Sequence, residues 1–126
     1  MKDMKVQEAI TSQLVTVRDT DSALAGLKLL VKKGLSGAPV VSSDSTLVGM
    51  VTEFDLLLAI DYVGESIPIS RVMSRDVTSV HPDTDLEQAR KLILDHHYRR
   101  LPVVDGGKVI GVLSRRDIMR VRFGIS

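Results

Sequence analysis

The chain has 126 residues, of which 44% are hydrophobic but only 3% aromatic, so any core it builds is aliphatic. Seventeen Lys and Arg against sixteen Asp and Glu leave a net charge of +1, without the basic excess of a dedicated nucleic-acid binder. There is no cysteine, which excludes disulfides, thiolate metal sites and a cysteine nucleophile. The opening MKDMKVQEAI lacks a signal-peptide core, and no apolar run approaches the ~20 residues of a membrane helix, so a cytoplasmic protein with no membrane partner is expected.

In chain order, LVTV (Leu14–Val17) predicts a short strand, followed by the polar break RDTDS. Ala23, Leu27, Leu30 and Val31 recur at helical spacing, with Asp21 as the candidate N-cap and Gly34 placed to end the helix. Two strands follow, APVV and LVGMV, joined by the turn SSDS. Thr52 opens a second helix, and DYVGESIP (Asp61–Pro68) reads as a linker marked by Gly64 and Pro68. The plan then restarts. VTSV and HPDTD lead into a helix carrying Leu86, Ala89, Ile93 and Leu94, with Thr84 and Glu87 spaced as a capping box. LPVV and VIGVL form the next strand pair around DGGK, and Ser114 opens the last helix.

The restart is an internal repeat, and it governs the fold. Val6–Val41 lies on Ile69–Val104 without a gap at an offset of 63, so that Pro39 meets Pro102. One residue is lost in the turn, after which GMVTEFD (Gly49–Asp55) meets GVLSRRD (Gly111–Asp117). Each copy reads β-α-β-β-α, too small to bury a comfortable core by itself. The expected fold is therefore α/β (α+β), two such repeats packed with pseudo-twofold symmetry. Residues 1–60 form the first repeat, 61–68 the linker and 69–126 the second repeat.

The ordered set VMSRDVTSVHPDTDLEQARKLILDHHYRRLPVVDGGKVIGVLSRRDIM, and its looser first copy, resembles a tandem pair of cystathionine-β-synthase (CBS) domains, a Bateman module. The likeness runs from about Val6 to Met119. The first copy departs from the pattern where AIT stands for a VMT-like opening and GLSGAPVV for an Arg-rich approach to the proline. The resemblance implies a regulatory module rather than an enzyme. CBS pairs commonly bind AMP, ADP, ATP, S-adenosylmethionine or NAD in clefts between the repeats, and often form disc-like homodimers, although some bind nothing detectable. No cofactor is required, and the regulated protein partner is not named by the sequence.

An adenosine nucleotide needs a grip on its diol and a counter-charge for phosphate. Asp55 and Asp117 suit the diol, because one carboxylate can accept both ribose hydroxyls. Thr52 and Ser114 place a hydroxyl and free N–H groups at a helix start, where phosphate is stabilised. The same Thr-x-x-Asp and Ser-x-x-Asp spacings are equally capping boxes. Thr16 and Ser79 match near the first strand of each copy, where the family lines its base or ribose pocket; ordinary strand surface is the alternative. Arg99 and Arg100 precede the second proline, where the family often presents phosphate-facing residues, and a guanidinium fork fits phosphate oxygens. Their counterparts are Ser36 and Gly37, and Arg115 and Arg116 stand where the first copy has Glu53 and Phe54. Two inequivalent clefts are expected, unless these arginines simply form a solvated basic face.

His81, His96 and His97 offer no i,i+4 pair to hold a metal. FDLLLAI (Phe54–Ile60) is apolar on more than one face, which means burial or, with Ile118, Met119 and Phe123, contact with a second chain. The functions weighed are an adenine-nucleotide sensor and, alternatively, a ligand-free CBS dimerisation or protein-interaction module. Nucleic-acid binding through RRDIMRVR is disfavoured by the low net charge, and no nucleophile–base pair is visible for an enzyme.

Overall fold

The computed structural model describes residues 1, 3–10 and 13–125. Its elements are α1 (Val6–Ala9), β1 (Val17–Arg18), α2 (Ala23–Lys33), β2 (Gly37–Val41), β3 (Leu47–Thr52), α3 (Glu53–Tyr62), a 3₁₀ turn (Ile69–Arg71), α4 (Leu86–His96), β4 (Arg100–Asp105), β5 (Lys108–Ser114) and α5 (Arg115–Phe123). This is a mixed α+β fold with two small sheets. It divides into a middle unit, Val15–Val77, and an outer unit that joins the chain up to Leu14 with the chain from Thr78 onward. The repeat in the sequence and the packing unit in space therefore have different boundaries.

In the middle unit β1 pairs parallel to β2, and β2 antiparallel to β3. Ala23, Gly26 and Leu30 form the buried face of α2. Ser22, not Asp21, caps this helix, its Oγ accepting from the Ala25 N–H at 3.1 Å, while Asp21 accepts from the Arg18 N–H at 3.0 Å. Gly34 at φ 68° ends it and donates back to the carbonyls of Leu30 and Val31. The linker then returns the chain to its own starting point: the Ala23 N–H donates to Ile67 O at 2.8 Å, and Met50 and Ser74 exchange backbone bonds of 2.9 and 2.8 Å. Ile69 and Met73 thereby enter a core made with Val17, Leu30, Val40, Val51 and Leu56. Room for this return is made by glycine. A Cβ on Gly49 would stand 2.7 Å from both Met73 Sδ and Ser74 O, and one on Gly26 2.7 Å from Ile69 Cδ1.

The outer unit repeats the device with the chain's first residues. Val6 and Ala9 pack with Val80, Leu86, Ala89, Ile93, Leu101, Val103, Leu113 and Ile118. Val6 N–H donates to Thr84 O at 2.9 Å, Leu86 N–H to Met4 O at 2.9 Å, and Ile10 Cδ1 lies 3.1 Å from where a Gly111 Cβ would be. The bridges Lys5↔Asp85 and Pro68↔Ser22 are the same contact, one in each unit, at the repeat offset. β4 and β5 form a hairpin turned at Gly106 and Gly107, both at positive φ.

Two expectations are corrected here. The strands expected at LVTV and VTSV shrink to Val17–Arg18 and to a single parallel bridge, Val80↔Val103. Val80 donates to Pro102 O at 3.0 Å and accepts from Val104 N–H at 2.8 Å. The next rung back would need an N–H from Pro102, or from Pro39 in the middle unit, and proline has none. The Thr84–Glu87 capping box also does not form. Asp85 is the N-cap of α4, Thr84 Oγ1 accepts from His81 N–H at 3.0 Å, and Glu87 turns instead to Arg90 at 3.0 Å. The Leu86 N–H at the helix start donates to Met4 O at 2.9 Å, the counterpart of the Ala23 N–H on Ile67 O in the middle unit.

Candidate functional site

Each unit gathers its candidate residues at one end of its sheet. Thr52 closes β3 and caps α3: its Oγ1 accepts from Asp55 N–H at 3.1 Å, and its own N–H donates to Asp55 Oδ2 at 3.3 Å. Gly37 lies across from it in β2. Because β1 runs with β2 and against β3, Thr16, Gly37 and Thr52 share the same sheet end. Thr16, Thr52 and Asp55 are half-buried there. Among the described residues, only Oδ2 of Asp55 accepts a hydrogen bond, which leaves Oδ1 as an open acceptor.

The outer unit makes the same turn more tightly. Ser114 Oγ accepts from Asp117 N–H at 3.2 Å, while Asp117 Oδ2 accepts from the Ser114 N–H at 2.8 Å and from its hydroxyl at 3.1 Å. Asp117 is 1% exposed, and its Oδ1 lies 3.6 Å from the Arg120 guanidinium. Arg100 stands directly across from Ser114, and Ser79 precedes Val80 at the same sheet end. Arg99 is exposed, and its carbonyl accepts from Arg115 N–H at 3.1 Å, just as Ser36 O accepts from Glu53 N–H at 2.9 Å. Thr52, Asp55 and Thr16 are thus grouped in one unit, and Ser79, Arg99, Arg100, Ser114 and Asp117 in the other.

One arginine has a role that spacing did not suggest. Arg115 donates from Nε to Tyr98 O and from a terminal nitrogen to His97 O, both at 2.8 Å, so it closes the carbonyl end of α4. The only signal in the sequence was a basic residue after a helix that ends without glycine; His97 takes the left-handed C-cap at φ 58°. His81 is held in its turn, with Nδ1 accepting from Asp83 N–H at 3.0 Å and Nε2 at 3.3 Å from Asp105 Oδ1. His96 stacks on Tyr98 at 5.2 Å. Among the described residues no three His, Asp or Glu side chains converge as a metal site, and no helix is long and apolar enough to cross a membrane.

Chemically, each sheet end offers a carboxylate, a hydroxyl and the N-terminus of a helix of nine or ten residues. Only the outer unit adds arginine. Comparison with known proteins agrees on what such a chain is like. The model of the CBS domain matches residues 6–62 and again 69–124. A crystal structure of CBSX2 in complex with AMP superposes with a TM-score of 0.83, at 35% identity, over 96% of this chain and 97% of that one. CBSX2 is a protein of Arabidopsis thaliana. The CBS domain-containing protein YhcV of Bacillus subtilis is 31% identical over 90% of this chain and 81% of its own length. Other relatives are much longer: the chain spans 42% of the uncharacterised protein MJ1225 of Methanocaldococcus jannaschii, at 26% identity over 92% of this chain.

Proposed function

The chain belongs to the CBS domain family as a tandem pair, and on that premise we propose that it is a regulatory module that binds an adenosine nucleotide of the AMP, ADP or ATP type. The observation that carries this reading is the likeness, over nearly the whole of both chains, to a CBS pair solved with AMP. Asp117 or Asp55 takes the ribose diol, and Ser114 or Thr52 meets phosphate with its hydroxyl and helix N–H groups. Arg99 and Arg100 supply phosphate counter-charge in the outer unit alone, so the two sheet ends differ in affinity for a phosphorylated ligand. Thr16 and Ser79 flank base or ribose. S-adenosylmethionine and NAD are the alternative ligands of the same class. Binding changes a regulated protein partner only through different affinity for two states of the module, since equal affinity shifts nothing.

The test is thermal unfolding against AMP, ADP, ATP, S-adenosylmethionine and NAD, each with and without magnesium. A ligand at a hundredfold its Kd adds about 2.7 kcal/mol, a rise of several degrees for a chain of this size. A selective rise that Asp117→Ala abolishes is expected; no rise with any of them at millimolar concentration would overturn the reading.

A second reading is favoured by one specific observation: both aspartates already complete capping boxes, as a ligand-free interaction module would require. Under it the chain is a dimerisation or protein-interaction module, and the exposed apolar residues of α3 and α5 are its contacts. Self-association and nucleotide binding are compatible, so we include a homodimer in the proposal.

A further inference from the structure

The two units end their first long helix differently. α2 stops at Gly34 with φ 68°, and α4 at His97 with φ 58°. Both are left-handed caps, but glycine takes that conformation freely, whereas a residue with a Cβ disfavours it. The helix-closing bonds are alike: Leu35 N–H donates to Leu30 O at 2.9 Å, and Tyr98 N–H to Ile93 O at 3.1 Å. What the outer unit adds is Arg115.

Arg115 takes the three consecutive carbonyls that follow α4. Its backbone N–H donates to Arg99 O at 3.1 Å, its Nε to Tyr98 O and a terminal nitrogen to His97 O, both at 2.8 Å. The planar fork of a guanidinium donates two such bonds side by side, which an ammonium cannot. Glu53, the middle unit's counterpart, has no side-chain donor; its backbone N–H holds Ser36 O at 2.9 Å, and the match stops there. A second tie on the same stretch is the Tyr98 hydroxyl, 3.0 Å from Thr78 Oγ1. The Arg115 side chain borders a groove of about 630 Å³ between α4 and α5, which Ile118 also lines. Its guanidinium is therefore committed to backbone, while Arg99, which it clamps, and Arg100 beside it are the residues assigned above to phosphate.

We infer that Arg115 is a positioning residue for the phosphate end of the outer site: it holds the backbone of residues 97–99 so that the Arg99 and Arg100 side chains are presented to a ligand, without touching the ligand itself. This role rests on the nucleotide reading above and adds how its counter-charge is held. A segment that carries two long cationic side chains out of a disfavoured cap would otherwise sample many arrangements, and the ligand would have to order it; fixing the segment beforehand removes that cost from binding. Arg100 pairs with Ser114 across the hairpin, and Arg115 follows Ser114 in the chain. One residue thus ties the hydroxyl assigned to phosphate to the arginines that neutralise it.

Calorimetric titration of the full chain with AMP and with adenosine, at one salt concentration, reads the phosphate increment as the Kd for adenosine over the Kd for AMP. Arg115→Ala should lower that ratio about tenfold, through AMP alone, and leave adenosine binding unchanged. Arg115→Lys keeps the charge but not the fork, and should lose as much. Backbone hydrogen exchange of ligand-free Arg115→Ala should quicken at His97 and Tyr98, whose N–H groups close α4 on Ile93 O. Full AMP affinity in Arg115→Lys would mean that Arg115 acts by its charge, and equal losses for AMP and adenosine that it only supports the fold. Either result overturns the positioning role, as does unchanged exchange. Arg99→Ala and Arg100→Ala separate this role from the reading beneath it. If they lose the phosphate increment and the Arg115 variants keep it, positioning fails and the phosphate site stands. If all of them keep it, or the wild-type chain binds neither compound, the phosphate reading fails and takes the positioning role with it.

Discussion

The helix starts at Thr52 and Ser114 share a hydrogen-bond scheme, yet they are not equivalent sites. Asp55 is half-buried with an oxygen to spare, whereas Asp117 is 1% exposed and has Arg120 at 3.6 Å. Gly37 lies across from Thr52, and Arg100 from Ser114. The helices that follow differ in sign, α3 carrying three acids and no base, α5 four arginines and one acid. Duplication has kept the turn that fixes the backbone and let the charge around it diverge. Geometry that local hydrogen bonds require survives copying; the electrostatics that choose a ligand or partner need not.

Matched substitutions in the two units break or sharpen that comparison. The largest effect is expected in the cores. Leu56→Ala, at a fully buried position, should cost about 2–5 kcal/mol in denaturant unfolding, and its counterpart Ile118→Ala should lie at the low end of that range because Ile118 is 7% exposed at the groove. Leu58→Ala, on the same helix but 40% exposed, should stay within about 0.5 kcal/mol.

Next come the paired glycines. Gly49→Ala drives a methyl group to 2.7 Å from the Ser74 carbonyl, a backbone atom, and should cost about 1–3 kcal/mol. Gly111→Ala meets only the tip of Ile10 at 3.1 Å, which can turn aside, so a loss below about 1 kcal/mol is expected. Equal losses would mean that the two crossing segments are equally rigid.

The aspartates follow. Asp117→Ala removes the buried acceptor of the Ser114 N–H and hydroxyl and should cost about 1–3 kcal/mol. Asp55→Ala loses a single, longer bond and should cost about 0.5–1 kcal/mol. Measuring nucleotide affinity in the same two variants separates capping from binding: a large affinity loss with a small stability loss at position 55 would move the preferred site to the middle unit.

The smallest effects are electrostatic. A hydrogen bond and the nearby charge of Asp85 raise the Lys5 ammonium above its usual pKa. A raised folded value stabilises below the unfolded pKa and is lost as pH rises through the folded one, so Lys5→Met should slightly flatten the alkaline limb of the stability curve. Glu87 has the opposite sign. A hydrogen bond from Arg90 holds its carboxyl below the usual range, so that contribution is present near neutral pH and fades as pH falls through the lowered value. Glu87→Gln should flatten the acid limb. Both groups are exposed, so both slopes are shallow.

What was legible in the sequence was local. Thr52 and Ser114 as helix starts, Gly34 as a helix end, and the two hairpins each depend on residues within a few positions, and the repeat doubled every such signal. The departures divide between local and distant causes: Ser22, one position beyond Asp21, caps α2, and Asp21 turns back to the Arg18 N–H instead. The Thr84 cap does not form because its hydroxyl is held by the His81 N–H and Asp85 takes the N-cap position. The short first strands were limited by Pro39 and Pro102 on other strands, visible as prolines but not as neighbours. The crossing of Ile69–Ser74 behind Gly49, and of Ile10 behind Gly111, could not be read from spacing, though the glycines were its trace. At the candidate site Thr52, Asp55, Ser114 and Asp117 stand out by their repeated spacing, and Thr16, Ser79, Arg99 and Arg100 by the family resemblance, but the burial of Asp117 and the diversion of Arg115 to carbonyls are set by packing.

The division of the chain into a contiguous middle and a discontinuous outer unit also orders its birth. Once the chain has emerged past Val77, everything the middle unit's core needs has been synthesised. The outer unit has to keep Val6 and Ala9 waiting until Leu113 and Ile118 are made, more than a hundred residues later. Closing so long a loop is slow, so on the ribosome the second copy's partners of α1 arrive last and the outer unit completes last. During that interval Val6 and Ala9 are without the residues they pack against, and transiently exposed apolar surface of this kind is what chaperones bind.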